Sequence, residues 1–164
     1  MSRRRKPPAR SALAIDFVIA SEGWRATPEA EKVVRRALAE AAAAVSTSAG
    51  ELAIVLTDDS AIRALNRQWR GKDQPTNVLS FPGAEPQPDT PVLLGDIVIA
   101  YETVAREALA ENKPLMHHLA HLAVHGFLHL VGYDHETDKE AKAMESLETA
   151  VLARLDVPDP YAKA

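Results

Sequence analysis

The amino-acid sequence predicts an α+β fold: a single domain whose central mixed β-sheet packs against helices, with a metal site at the end of a buried helix. Three observations lead there. Apolar residues alternate with period two in short, separate segments, as in strands with one buried face. Between and after these segments they recur at helical spacing, with three helical stretches in succession toward the C-terminus. All six histidines lie between positions 117 and 135, on one of those helices and the turn behind it.

Leu13, Ile15, Phe17 and Ile19 alternate as the first strand. Thr27, Pro28 and Glu29 signal a helix start, and Val34, Ala37, Leu38, Ala41 and Val45 carry its buried stripe over about 28–46. Leu52, Ile54 and Leu56 form the second strand. Asp58 or Asp59 can then cap a helix with the inward stripe Ile62, Leu65 and Trp69, and with Arg63, Arg67 and Arg70 on its other face. The run TNVLSFP is β-prone up to Pro82, and beyond a proline-rich loop LLGDIVIA reads as another strand. Residues 101–111 and 115–131 are helices parted by Pro114, the second stopped by Gly132. Apolar side chains occupy most of that second helix's circumference, so it is a buried one. The last helix, about 137–155, packs through Met144, Leu147, Val151 and Leu155. Sheet order does not follow from periodicity.

A hydrophobic fraction of 46% in 164 residues suffices for one core. Residues 1–10 read as a basic tail, 11–158 as a single metallo-hydrolase domain and 159–164 as a C-terminal tail. The chain has no cysteine, so a tightly held transition metal must use histidine or carboxylate ligands. No run of about twenty apolar residues occurs, and MSRRRKPPAR lacks the apolar core of a signal peptide. The expectation is a cytoplasmic protein with no membrane contact. Five basic side chains in residues 1–10 leave the remainder at −9 against a total of −4, so an acidic body would meet RNA only locally. No phosphate-cradling glycine loop is present, and no nucleotide cofactor is expected.

The chemistry is concentrated in HGFLHLVGYDH. His125 and His129 stand four apart on a helix and project from one face, one turn apart, where both imidazoles can reach one ion. Gly132 can take the left-handed conformation that ends the helix and turns His135 back toward the same ion. Three neutral nitrogens leave a coordination position open, as in catalytic zinc, where a bound water has its pKa lowered to about 7. The expected cofactor is therefore one Zn2+ per chain on His125, His129 and His135. Metzincin proteases share the spacing but carry glutamate where this chain has Gly126, which removes the base a peptidase needs. The alternatives are ordinary core or surface histidines and a catalytically silent structural metal site. His117, His118 and His121 read as ordinary core or surface residues, with His121 one turn before His125.

The segment HGFLHLVGYDH, together with LNRQWRGKDQPTNVLSFPG at 65–83 and LLGDIVIA at 93–100, resembles the YbeY family of bacterial ribosomal-RNA maturation factors, from about residue 50 to PDPY. The resemblance implies a single-strand-specific, metal-dependent endoribonuclease acting on small-subunit (16S) ribosomal RNA and in ribosome quality control. It places the family's zinc ligands on His125, His129 and His135 and its motif arginine on Arg70. The implied partners are single-stranded ribosomal RNA, the small subunit and assembly proteins. Asn77 stands where many members have aspartate.

On this basis Arg70 and His125 are the catalytic candidates, with the Arg70 guanidinium aimed at charge on phosphorus. Arg63 and Arg67 could extend a phosphate track. Thr76, Asn77 and Ser80 could line the cleft, and Phe81 could offer a stacking face. No carboxylate base stands out: Asp134 and Asp138 flank His135 and could each hold an imidazole in orientation or cap the final helix, Asp96 is similarly open, and Met144 could lie beneath the metal or in the core. Two competing functions are an assembly or RNA-binding factor with a structural zinc, and a metal-dependent hydrolase of another substrate.

Overall fold

The computed structural model describes residues 13–46 and 50–162. The basic segment 1–10 lies outside them. The elements run β1 (Leu13–Ile19), α1 (Glu22–Arg25), α2 (Ala30–Ala44), β2 (Gly50–Thr57), α3 (Asp59–Arg70), β3 (Val78–Pro82), β4 (Leu93–Ala100), α4 (Tyr101–Ala110), α5 (Leu115–Leu130) and α6 (Asp138–Arg154). The strands form one mixed sheet in the order β1-β2-β4-β3, with β1, β2 and β4 parallel and β3 antiparallel to β4. This is the α+β domain expected from the pattern. Among the described residues no helix is long and apolar enough to cross a membrane.

The period of two in the strands sorts side chains to two faces. Leu52, Ile54 and Leu56 of β2 and Ile97 and Ile99 of β4 pack into the main core with Val34 and Leu38 of α2, Phe127 and Leu128 of α5, and Met144 and Leu152 of α6. Val98, Ala100 and Leu79 face the other way and make a smaller cluster with Ile62 of α3. Covered on both faces, β4 reads as a continuous apolar run, Ile97 to Ala100.

Three expectations are corrected. The helix placed at about 28–46 is preceded by a separate single turn, α1, capped by the Ser21 hydroxyl, which accepts from the Trp24 N–H at 3.1 Å. Pro28 lies in the turn between α1 and α2. Trp69, assigned to the inward stripe of α3, is 64% exposed and meets Phe81 in an edge-to-face arrangement, with ring centroids 5.9 Å apart. Asn66 is buried in its place, its amide donating to the Gln74 carbonyl at 2.8 Å and closing the turn after α3. Residues 159–161, read as part of a tail, fold back on α6: Asp159 Oδ1 accepts the Tyr161 N–H at 2.8 Å and the Thr149 hydroxyl at 3.3 Å.

Candidate metal centre

A close approach of helix to sheet positions the centre. A Cβ added at Gly126 would stand 2.9 Å from Ile97 Cγ2 and 3.1 Å from Ser80 Oγ, so only glycine lets α5 press onto β3 and β4 here. The Ser80 hydroxyl donates to the Gly126 carbonyl at 3.0 Å and pins the contact. The residue beside this glycine, His125, and His129 one turn later thus emerge next to the edge strand β3. α5 stops after Leu130, and Gly132 adopts φ +104°. His135 follows in the turn that leads to Thr137. Thr137 starts α6 with a capping box: its hydroxyl accepts from the Glu140 N–H, and the Glu140 side chain accepts from the Thr137 N–H.

The three histidines converge. Their ring centroids lie 4.7, 5.2 and 5.9 Å apart, and one ligand nitrogen of each falls within 4.8 Å of the others. His125 Nε2 and His129 Nε2 are 3.2 Å apart. Ligand nitrogens of a tetrahedral zinc at ~2.0–2.1 Å would be separated by about 3.3 Å, so these atoms stand at a spacing that fits such an ion. Burial lowers the His129 pKa below its ordinary 6.5, and His125 and His135 push it the same way. A neutral imidazole is the form that ligates.

Behind His125 sits Glu148, fully buried. Its Oε2 stands at hydrogen-bond distance, 2.6 Å, from His125 Nδ1, its Oε1 accepts the Tyr161 hydroxyl, and His121 Nε2 stands 3.6 Å from Oε2. Burial pushes the Glu148 carboxyl up, but its polar contacts with His121, His125 and Tyr161 outweigh that and hold its pKa at about 2. Burial and the adjacent carboxylate push the Tyr161 hydroxyl up, so it remains a proton donor. His121, His125 and Glu148 also bring ligand atoms within 4.8 Å of one another, as a second group able to hold a cation.

The histidines open into a cavity of about 590 Å³ that is also lined by Arg70, Thr76, Asn77, Ser80 and Tyr161. Arg70 is the last residue of α3, ended by Gly71 in the left-handed conformation at φ +70°. Among the described residues it forms no ion pair, whereas Arg63 is held through Nε and Nη2 by the two carboxylate oxygens of Asp73, at 2.8 and 3.2 Å. Asn77 is engaged internally: its amide donates to Glu107 at 2.9 Å and its oxygen accepts the Val78 N–H at 2.6 Å.

A family model described as Endoribonuclease YbeY matches residues 19–156. The chain belongs to the endoribonuclease YbeY family. A Nitrobacter hamburgensis protein named Endoribonuclease YbeY is 57% identical over 156 residues, covering 91% of this chain and 82% of the relative. A Rhodopseudomonas palustris protein of the same name is 61% identical over 152 residues, 90% of this chain and 80% of its own length. The fold resembles the solution structure of a Thermotoga maritima protein with TM-score 0.52 and 23% identity, covering 93% of this chain and all of the other.

Within this YbeY-family chain the cleft differs in places from its sequence-based picture. Phe81 lies on the α3 face of β3, packed with the small cluster and Trp69, because it is one residue out of phase with Ser80. It therefore offers no stacking face in the cavity. Arg63 is committed to Asp73. Asp134 accepts the His135 N–H at 2.8 Å, Thr137 rather than Asp138 caps α6, and Met144 belongs to the core. His118 is a buried partner of Glu107 at 2.8 Å. Glu148 and Tyr161 had no place in the sequence reading. The signal for Glu148 was an acid set on the apolar stripe of α6, between Met144 and Val151.

Proposed function

We propose that this chain is a zinc-dependent endoribonuclease, cutting single-stranded RNA in the maturation of small-subunit ribosomal RNA and in ribosome quality control. Its site would be the cytoplasm, with the small subunit and assembly proteins as partners. The observation that carries the reading is the convergence on one cavity of three histidine donors and Arg70, which forms no ion pair among the described residues, in a chain of the endoribonuclease YbeY family. One zinc ion would be held by His125, His129 and His135. The 2.6 Å separation of His125 Nδ1 from Glu148 is a hydrogen-bond distance, shorter than the spacing of two ligand atoms on one zinc, which favours this set over the one containing Glu148.

Zinc so bound supplies a Lewis acid for a phosphoryl oxygen and a water ionised near neutral pH. The protein contributes the rest. Arg70 binds a non-bridging phosphate oxygen pair through its planar fork and stabilises the charge that grows on phosphorus. His125 keeps its proton on Nδ1, donated to Glu148, and presents Nε2 to the cavity. The Asn77 amide and the Ser80 hydroxyl each donate one hydrogen bond within the protein, to Glu107 and to the Gly126 carbonyl, so they shape the wall beside Arg70, the cationic group for substrate. The body's negative charge limits RNA contact to this cleft.

The test is cleavage of a labelled single-stranded ribosomal RNA fragment by metal-analysed protein, with chelation and zinc add-back. About one zinc per chain, activity lost on chelation and restored by zinc, and an inactive His129→Ala support the reading. A zinc-loaded wild type that cuts no RNA would replace it with an assembly factor carrying a structural metal.

A further inference from the structure

Nothing in the spacing of the three histidines decides which nitrogen of His125 faces the cavity. A neutral imidazole has two tautomers, and only the Nδ1–H form leaves a lone pair on Nε2. Glu148 accepts at Nδ1 from a fully buried position, so the side chain opposite the cavity selects the tautomer. A carboxylate can rotate, and its second oxygen would be buried without a donor if nothing met it. Tyr161 does so with its hydroxyl, while Asp159 ties the Tyr161 backbone and Thr149 of α6 into one turn. Among the described residues no lysine or arginine pairs with Glu148, and its hydrogen-bond partners are His125 and Tyr161.

We propose that Glu148, locked by Tyr161, is a positioning residue of the metal centre, fixing His125 with its Nε2 lone pair toward His129, and that the 159–161 turn is thereby a working part of the centre. This rests on His125 being a metal ligand. A carboxylate behind a ligating histidine both orients the ring and raises its basicity, and loss of such a partner weakens metal binding by about 10- to 100-fold. Tyr161 makes one hydrogen bond to that carboxylate, and its loss should weaken binding by about fivefold.

The experiment measures zinc affinity by chelator competition for full-length wild type, Glu148→Gln and Tyr161→Phe. Nitrogen-15 imidazole spectra of the metal-free proteins report the His125 tautomer. Val151→Ala, a core truncation on the same helix, controls for general loosening. Expected are an Nδ1–H His125 in wild type, a mixture of tautomers in Tyr161→Phe, affinity losses of about fivefold for Tyr161→Phe and at least tenfold for Glu148→Gln, and neither change in Val151→Ala. If Glu148→Gln does not fold, Tyr161→Phe carries the test through both readouts. A wild-type His125 protonated on Nε2, or a zinc affinity unmoved in the variants, overturns the inference while leaving the three-histidine site in place. A wild type that binds no zinc overturns both.

Discussion

The Ser80 hydroxyl donates to the Gly126 carbonyl, and Ile97 Cγ2 occupies the space that a side chain at 126 would need. This contact seats α5 against the sheet, and His125 is the adjoining residue. Gly126→Ala should therefore destabilise the protein: overpacking costs about 1–3 kcal/mol, and helix propensity returns up to about 1. Gly126→Glu, which would complete the protease motif, should disrupt the centre and create no peptidase. Urea denaturation and zinc stoichiometry check both.

Acid should weaken the metal-free protein in two stages. His129 has a pKa below 6.5 in the folded state, so as pH falls the unfolded chain takes up the proton first and stability drops below about pH 6.5. Glu148 contributes stability above its ordinary 4.5 that is lost as pH falls toward about 2, a contribution on the order of 3 kcal/mol. Denaturant midpoints from pH 7 to 3 should show both limbs, and Glu148→Gln should flatten the lower one.

Arg63 and Arg70 lie seven residues apart on α3 and should behave differently. Arg63 is exposed and paired with Asp73, so Arg63→Ala should leave stability and RNA cleavage near wild type. Arg70→Ala should lower cleavage by about 10²-fold with the fold and zinc content unchanged. Single-turnover cleavage of the same RNA separates the two, and equal rates would remove Arg70 from the site.

The capping box at Thr137 begins α6 two residues after His135. Thr137→Ala should cost about 1 kcal/mol and lower Tm by about 2–4 °C. A frayed first turn should also weaken zinc binding by loosening His135. Calorimetry and chelator competition measure the two effects on one sample.

The parts of this molecule that depend on near neighbours were legible from the chain. The period-two strands, the buried helix around Leu119–Leu128, and the i, i+4 pair His125 and His129 followed by Gly132 arise within one or two turns of backbone. The motifs around Arg70 and the histidines also carried the family, which the match over residues 19–156 bears out. Trp69 was misplaced because helical period locates a stripe without giving the width of the surface it meets: α3 covers only a small cluster, and its last turn overhangs it.

The sequence by itself therefore determined most of the element pattern, and the candidate donor residues with their local spacing, since these follow from the rise and twist of a helix. Tertiary structure alone decided the sheet order, the pairing of Arg63 with Asp73, and the meeting of Glu148 with His125 across 23 residues of chain and with Tyr161 across 13. The reason is physical. A buried carboxylate is tolerated only where donors from separate elements arrive together, and their arrival depends on how α6 and its following turn pack against α5.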